Sequence, residues 1–372
     1  MARRPNPFRP SFGVSPRVLA GRDDVIDEFD LALDEGPGSP MRTVLVSGAR
    51  GMGKTVVLNE LEERARTRAW LVLRLPEGER LVEELERTIL PSLLSDHDPE
   101  AVRQHLTGGG ITPLGTVATQ REDRYPVTAS LSSMLARLAS IGAEHGTGLL
   151  LTLDEVQAAP AEDLAHLASA YQHLVRDEHE VALVAAGLPV GIDALLKQRG
   201  TTFLRRAERI HLPTLVADEV RTAAVETVRE AGKVISAEAL DLLVEVVHGY
   251  PYLLQLVGYH AWRAAGEGEV VTRTHVDSTL PVVIERMGRL VHAPALHTVP
   301  EGQRAYLRAM AQDEGPSSTG EIARRLGVTK GHQNMQRTRL IERELIVPAG
   351  YGYVDVALPY LREHLRRRER AE

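Results

Sequence analysis

Thr43-Val44-Leu45-Val46-Ser47-Gly48-Ala49-Arg50-Gly51-Met52-Gly53-Lys54-Thr55-Val56-Val57-Leu58 decides the fold of this chain. Thr43 to Ser47 is a short apolar run, the pattern of a buried strand. Gly48 to Thr55 fits G-x-x-x-x-G-K-[ST] without a mismatch, and Val56, Val57, Leu58 and Leu61 continue as the apolar side of a helix. Strand, glycine-rich loop and helix, in that order, let backbone N–H groups converge on a polyphosphate at a helix N-terminus. Gly48, Gly51 and Gly53 allow the backbone to wrap closely round the anion, with Ala49, Arg50, Met52 and Val56 completing the expected cradle. Lys54 supplies a point charge for the β- and γ-phosphates, and the Thr55 hydroxyl is placed for Mg²⁺. Only four lysines occur in 372 residues, so a chance match is rare.

The composition sets bounds around this motif. The length suits two or three domains, and 43% hydrophobic with 26% charged residues is ordinary for a soluble globular chain. Cysteine is absent, which excludes disulfides and zinc–thiolate sites. No run approaches the roughly 18 apolar residues of a membrane span. The basic start Met1-Ala2-Arg3-Arg4 lacks an apolar core, so no signal peptide is expected and the cytoplasm is the default compartment. Net charge is −7, unevenly spread: from Glu301 onward 13 Lys and Arg face 10 Asp and Glu, a net of +3, while the remainder carries 31 against 41, a net of −10. An anionic partner would therefore meet the C-terminal part.

Outward from the loop, residues 1–20 are rich in Pro and Arg without periodicity and read as an extended arm. A helix opens at Gly21-Arg22-Asp23-Asp24. After the loop helix, Trp70 to Leu73 reads as a strand, Glu79 to Leu94 as a helix, and Leu131 to Ala143 as another. Residues 95–130, with Gly108-Gly109-Gly110, read as a mobile loop holding a short strand near 115–119. Gly148-Leu149-Leu150-Leu151-Thr152-Leu153-Asp154-Glu155 is an apolar strand ending in two carboxylates. Downstream of a phosphate loop this is the Walker B pattern: Asp154 joins the Mg²⁺ shell and Glu155 is the candidate base for an attacking water. Leu164 to Arg176 is the next helix, Val181 to Ala186 the fourth strand and Ile210 to Leu212 the fifth. Arg205-Arg206-Ala207-Glu208-Arg209 lies just before it; a solvated helix end looks the same.

Strands alternating with helices between Thr43 and Leu212 predict a parallel five-stranded α/β sheet covered on both faces. From Val216 the pattern turns helical: 218–231, 236–247, 251–265 and 273–287, the last kinked by Pro281. Residues 301–372 predict helix, short helix, turn, longer helix and hairpin, a winged helix-turn-helix. Ser318-Thr319-Gly320-Glu321 is a candidate capping box, Gly327 a helix stop and Thr329 the cap of the next helix. That helix would present Lys330, His332, Gln333, Gln336 and Arg337, and also Arg339, to double-stranded DNA. Domain boundaries are expected at 1–20 (arm), 21–215 (core), 216–298 (lid) and 299–372 (winged helix).

Together these motifs resemble the P-loop NTPases of the AAA+ and STAND group, and within it the origin-recognition-like and archaeal-type ATPases. The resemblance rests on V-L-A-G-R-D from Val18, G-A-R-G-M-G-K-T, L-D-E-V-Q, A-G-L-P after the fourth strand, A-E-R before the fifth and G-Y-P-Y-L-L-Q-L in the lid. It implies ATP or ADP with Mg²⁺ as ligands, an adenine pocket lined by Val18, Leu19 and Arg22, and a lid element, Gly249-Tyr250-Pro251, facing the nucleotide. It implies that Arg206 or Arg209 reaches a neighbouring subunit's γ-phosphate. Two departures favour a slow switch over a motor. Ala185-Ala186-Gly187 stands where a polar sensor is usual, and no arginine opens the helix at Pro251. Three functions compete: an ATP-driven switch that binds DNA, a STAND-type scaffold whose winged helix contacts protein or a second copy, and a kinase. The kinase ranks last because no acceptor site is visible and Glu155 suits water activation.

Overall fold

The computed structural model describes residues 4–11, 13–97 and 130–369. The strand expected at 115–119 lies outside them. The chain forms two compact units, one of residues 24–47 and 57–211, the other of residues 1–23, 48–56 and 212–372.

The first unit is built on five parallel strands, β1 (Thr43–Ser47), β2 (Leu71–Arg74), β3 (Leu149–Leu153), β4 (Val181–Gly187) and β5 (Glu208–His211), in the order β2-β3-β4-β1-β5. Every residue of β3 and β4 is buried, as expected for parallel strands covered on both faces. The helices of this unit are α1 (Asp23–Glu35), the body of α2 (Lys54–Thr67), α3 (Leu81–Glu84), α4 (Leu90–His97), α5 (Leu131–Glu144), α6 (Ala161–Arg176) and α7 (Pro189–Lys197). A π-turn over Leu85–Ile89 joins α3 to α4, so the expected single helix there is present with a bulge. Leu85, Leu135, Leu138, Leu149 and Leu151 sit in its main core.

Trp70, expected to start β2, lies one residue before it. Its ring is covered by the Arg42 guanidinium at 5.0 Å. Arg42 also donates to the carbonyls of Ala32 and Leu33 at 2.9 Å, meeting acceptors that the end of α1 leaves unpaired. Helix α7 was not anticipated. Pro189 sits in its first turn, where a missing N–H leaves no bond unmade.

In the second unit the N-terminal arm is docked. Asn6 Nδ2 donates to the Tyr259 carbonyl at 2.9 Å, and the Arg9 N–H to Gln255 Oε1 at 2.9 Å. Phe8 is buried against Gly258, where any side chain would collide with its ring. Its helices begin with α8 (Ala217–Glu230), α9 (Ala237–Val247) and α10 (Pro251–Ala265). The helix expected over 273–287 is two: α11 (Arg273–Asp277) ends, and α12 (Leu280–Met287) begins with Pro281 in its first turn. A proline ring fits a first turn without displacing a hydrogen bond, so it starts a helix here and does not kink one.

The C-terminal elements are α13 (Ala293–His297), α14 (Glu301–Ala311), α15 (Thr319–Leu326), α16 (Lys330–Glu342) and α17 (Leu361–Glu369). After a parallel pair of two-residue strands, β6 (Val234–Ile235) and β7 (Val270–Val271), the short strand β8 (Ser317–Ser318) joins the hairpin β9 (Ile346–Pro348) and β10 (Tyr353–Val356) in an antiparallel sheet, order β8-β10-β9. That third strand corrects the capping box. Ser318 precedes α15 but makes no side-chain cap bond, and its backbone is instead registered against Tyr353. Thr329 does cap α16, accepting from the His332 N–H, and Gly327 ends α15 in the left-handed region at φ 64°. Among the described residues no helix is long and apolar enough to cross a membrane.

Candidate functional site

The loop Gly48–Gly53 leaves β1 at Ser47 and enters α2 at Lys54. Within it the Met52 N–H bonds the Ala49 carbonyl at 3.2 Å. Lys54 is buried, and its Nζ donates to the Gly48 carbonyl at 2.9 Å and the Ala49 carbonyl at 3.3 Å. A buried ammonium needs such acceptors, and these hold it against the loop whose charge it supplies. Thr55 and Val56 follow in the first turn of α2.

Two further side chains brace this loop from within the same unit. Arg22 is buried and donates to the carbonyls of Gly21 at 2.9 Å, Pro213 at 2.7 Å and Met52 at 3.5 Å. Burial holds its guanidinium below the ordinary value, and the nearby Glu219 carboxylate opposes the shift. Glu219 in turn accepts from the Val216 N–H at 2.8 Å and so caps α8. Arg22 thus braces these three carbonyls, and Val18 and Leu19 just before it are half-buried. Tyr250 is fully buried at the start of α10, and its hydroxyl donates to the Arg50 carbonyl at 2.5 Å. Gly51, at φ 78°, has to be glycine twice over, because a Cβ there would also strike the Tyr250 ring. Pro251 occupies the first turn of α10.

The carboxylates belong to the other unit. Asp154 follows β3, and its Oδ1 accepts from the Glu155 N–H at 2.8 Å. Glu155 is left-handed, φ 47° and ψ 50°, which costs a side-chain-bearing residue about 1–2 kcal/mol. Its carboxylate accepts from Gln157 Nε2, and Gln157 Oε1 accepts from the Leu188 N–H at 3.1 Å. Glu77, exposed beyond β2, is raised from its ordinary value by partial desolvation first and then by the charges of Asp154 and Glu155. The end of β4, Ala185-Ala186-Gly187, is buried and offers no side-chain donor.

Residues 18–184 match the AAA ATPase domain family, and residues 289–365 match a domain of unknown function, DUF8462. Similar solved structures include a Walker-type ATPase of Pyrococcus abyssi, 18% identical, with TM-score 0.63 over 94% of this chain and 96% of that one. The ORC2 protein of Aeropyrum pernix, in ADPNP and ADP complexes, is 17% identical, with TM-score 0.64 over 98% of each chain. At those identities the likeness is one of fold, that of a P-loop NTPase. No curated protein matches the sequence.

The match to the AAA ATPase family ends at residue 184, before the arginines ahead of β5. Arg205 is tied by Nε to the Leu196 carbonyl at 3.0 Å, whereas Arg206 and Arg209 are exposed. Arg209 lies on β5, an edge strand paired with β1. In the C-terminal domain the expected DNA face is partly turned inward. Gln333 is 7% and Gln336 8% exposed, and Gln333 Nε2 donates to the Tyr306 hydroxyl at 3.0 Å. Gln336 bonds His332 Nε2 at 3.3 Å, and Arg337 is half-buried. The reason is that α16 carries too few apolar residues to fill its inner face, so glutamines occupy it. Lys330, His332, Asn334, Met335, Thr338 and Arg339 are among its exposed positions.

Sequence reasoning passed over Gln157, Glu77 and the Tyr250 hydroxyl. Gln157 stood in the quoted L-D-E-V-Q. The signal that it bears on Glu155 is the pair Gly187 and Gly191, which nothing in the local sequence connects to it.

Proposed function

We propose that this protein is a Mg²⁺-dependent ATP-binding switch that hydrolyses ATP slowly and couples nucleotide state to DNA binding through a C-terminal winged helix. The observation that carries the reading is the bond from Tyr250, at the head of a lid helix, to the Arg50 carbonyl of the phosphate loop. A lid fastened to the loop backbone must respond when a polyphosphate pulls the loop N–H groups inward.

The loop N–H groups and Lys54 would hold the β- and γ-phosphates. Among the described residues no three His, Asp or Glu cluster to hold a metal alone. Thr55 and Asp154 would supply oxygen donors to a Mg²⁺ that keeps water and phosphate as its other ligands. When bound, that ion neutralises charge on the phosphates. Glu155 takes a proton from water as the water oxygen bonds the γ-phosphorus and the bond to the β–γ bridging oxygen breaks, releasing ADP. With no polar group at Ala185-Ala186-Gly187, transition-state charge is under-stabilised, which supports slow turnover. Arg206 or Arg209 would supply that charge from a second copy, and turnover per subunit should then rise with protein concentration.

The DNA part rests on the exposed Lys330, His332 and Arg339, the half-buried Arg337, and the net +3 of residues 301–372. The test is ATPase rate against protein concentration, with and without duplex DNA, beside a gel shift titrated with salt. DNA binding that weakens steeply with salt and changes turnover supports the switch. No shift at low salt overturns the DNA part and leaves a STAND-type scaffold.

A further inference from the structure

Gln157 lies in the short turn Val156–Ala158, two residues beyond Glu155. Its amide is a bridge with a fixed polarity. The Leu188 N–H, just beyond β4, can be met only by the amide oxygen, which leaves the NH₂ end for the Glu155 carboxylate. The side chain runs through a slot that two glycines leave open. A Cβ on Gly187 would stand 2.8 Å from Gln157 Oε1, and one on Gly191 would stand 2.9 Å from both its Cβ and its Oε1. Either approach is too close for a methyl group, so any larger residue at 187 or 191 would push the amide aside. The slot sits beside the β4 end that has Ala185 and Ala186 in place of a polar side chain.

We infer that Gln157 is a positioning residue for Glu155. Its amide holds the carboxylate in one orientation and ties that orientation to the turn between β4 and α7. The end of β4 is thereby linked to the base beyond β3, and movement of the Leu188 turn is passed to the base through one side chain. The left-handed backbone of Glu155 suits such a device, because a strained residue is held only by what surrounds it. This inference rests on the ATPase reading above.

The test uses the full chain and Gln157→Glu, which keeps the volume and the acceptor for Leu188 but sets a second carboxylate against Glu155. We expect kcat to fall about 10- to 100-fold, the scale of a misplaced catalytic group. KM for ATP and fluorescent-ATP affinity should stay within about twofold, since uniform binding is untouched. Gly191→Ala, which displaces the amide and leaves both Gln157 and Glu155 in place, should reproduce the loss of kcat, with folding checked by the melting temperature. Wild-type kcat in Gln157→Glu, with Glu155→Gln inactive, overturns the inference and leaves the ATPase reading standing. So does a loss of ATP affinity that accounts for the whole drop in kcat/KM. Turnover indifferent to Glu155→Gln overturns the ATPase reading and the inference together.

Discussion

Arg22, Lys54 and Tyr250 reach the phosphate loop from three separate segments, and their exposures are 4%, 5% and 0%. Each meets a loop carbonyl: Met52, Gly48 with Ala49, and Arg50. The Walker B turn is supported differently. Glu155 is strained, half-buried, and held by an exposed glutamine and by Asp154 Oδ1. A loop that binds a polyphosphate needs one shape, so redundant buried bonds suit it. A carboxylate that takes a proton must exchange partners during a cycle, so a single replaceable bond suits it. The strain of Glu155 and the raised position of Glu77 are what a poised, charge-rich turn would carry.

The comparison predicts which changes hurt chemistry and which hurt only binding or stability. Glu155→Gln should show the largest effect, a fall in kcat of about 10²- to 10⁴-fold, the usual worth of a general base. Mg-ATP affinity should persist, measured by fluorescent-ATP titration. A mutant that turns over like wild type would make Glu155 a structural residue. Lys54→Ala should weaken ATP binding about 100-fold, since a charged hydrogen-bond donor to phosphate is worth about 3 kcal/mol. Unchanged affinity would remove Lys54 from the phosphate site.

Tyr250→Phe tests redundancy. It deletes one bond to a buried carbonyl, worth about 1 kcal/mol, and should lower the melting temperature and weaken the response of turnover to DNA while leaving DNA-free kcat intact, because Arg22 and Lys54 remain. A kcat loss as large as that of Glu155→Gln would mean that the loop is no more redundant than the turn.

Glu77→Gln is the smallest expected change. Its carboxyl is raised from its ordinary value, so ionising it costs the folded state more than the unfolded chain. That cost is absent at acid pH, where the group is protonated in both states, and appears as pH rises through the carboxylate range. The variant should therefore melt higher than wild type at neutral pH and equal to it near pH 3, in a thermal-shift series. Identical melting at both pH values would separate Glu77 from the charges of Asp154 and Glu155.

The parts that could be read from sequence are those fixed by neighbours along the chain. An apolar pentad such as Leu149–Leu153 can bury both faces only in a covered sheet, and the glycines and lysine of G-A-R-G-M-G-K-T mark a phosphate loop before the segments that brace it are known. Strands β1, β3 and β4, the loop, the hairpin of the C-terminal domain and the Thr329 cap follow from such local demands. Tertiary structure decided what depends on which segments meet. It gave Arg22 its partners, because the carbonyls it serves belong to residues 21, 52 and 213. It laid Phe8 on Gly258, and it turned Gln333 toward Tyr306 because α16 has no continuous apolar stripe to say which face is inward. It gave Gln157 its partners, since the glycines that open its slot are 30 and 34 residues further along the chain. Periodicity reports the faces of a single element; which groups fill a space between elements is settled only when their backbones are brought together.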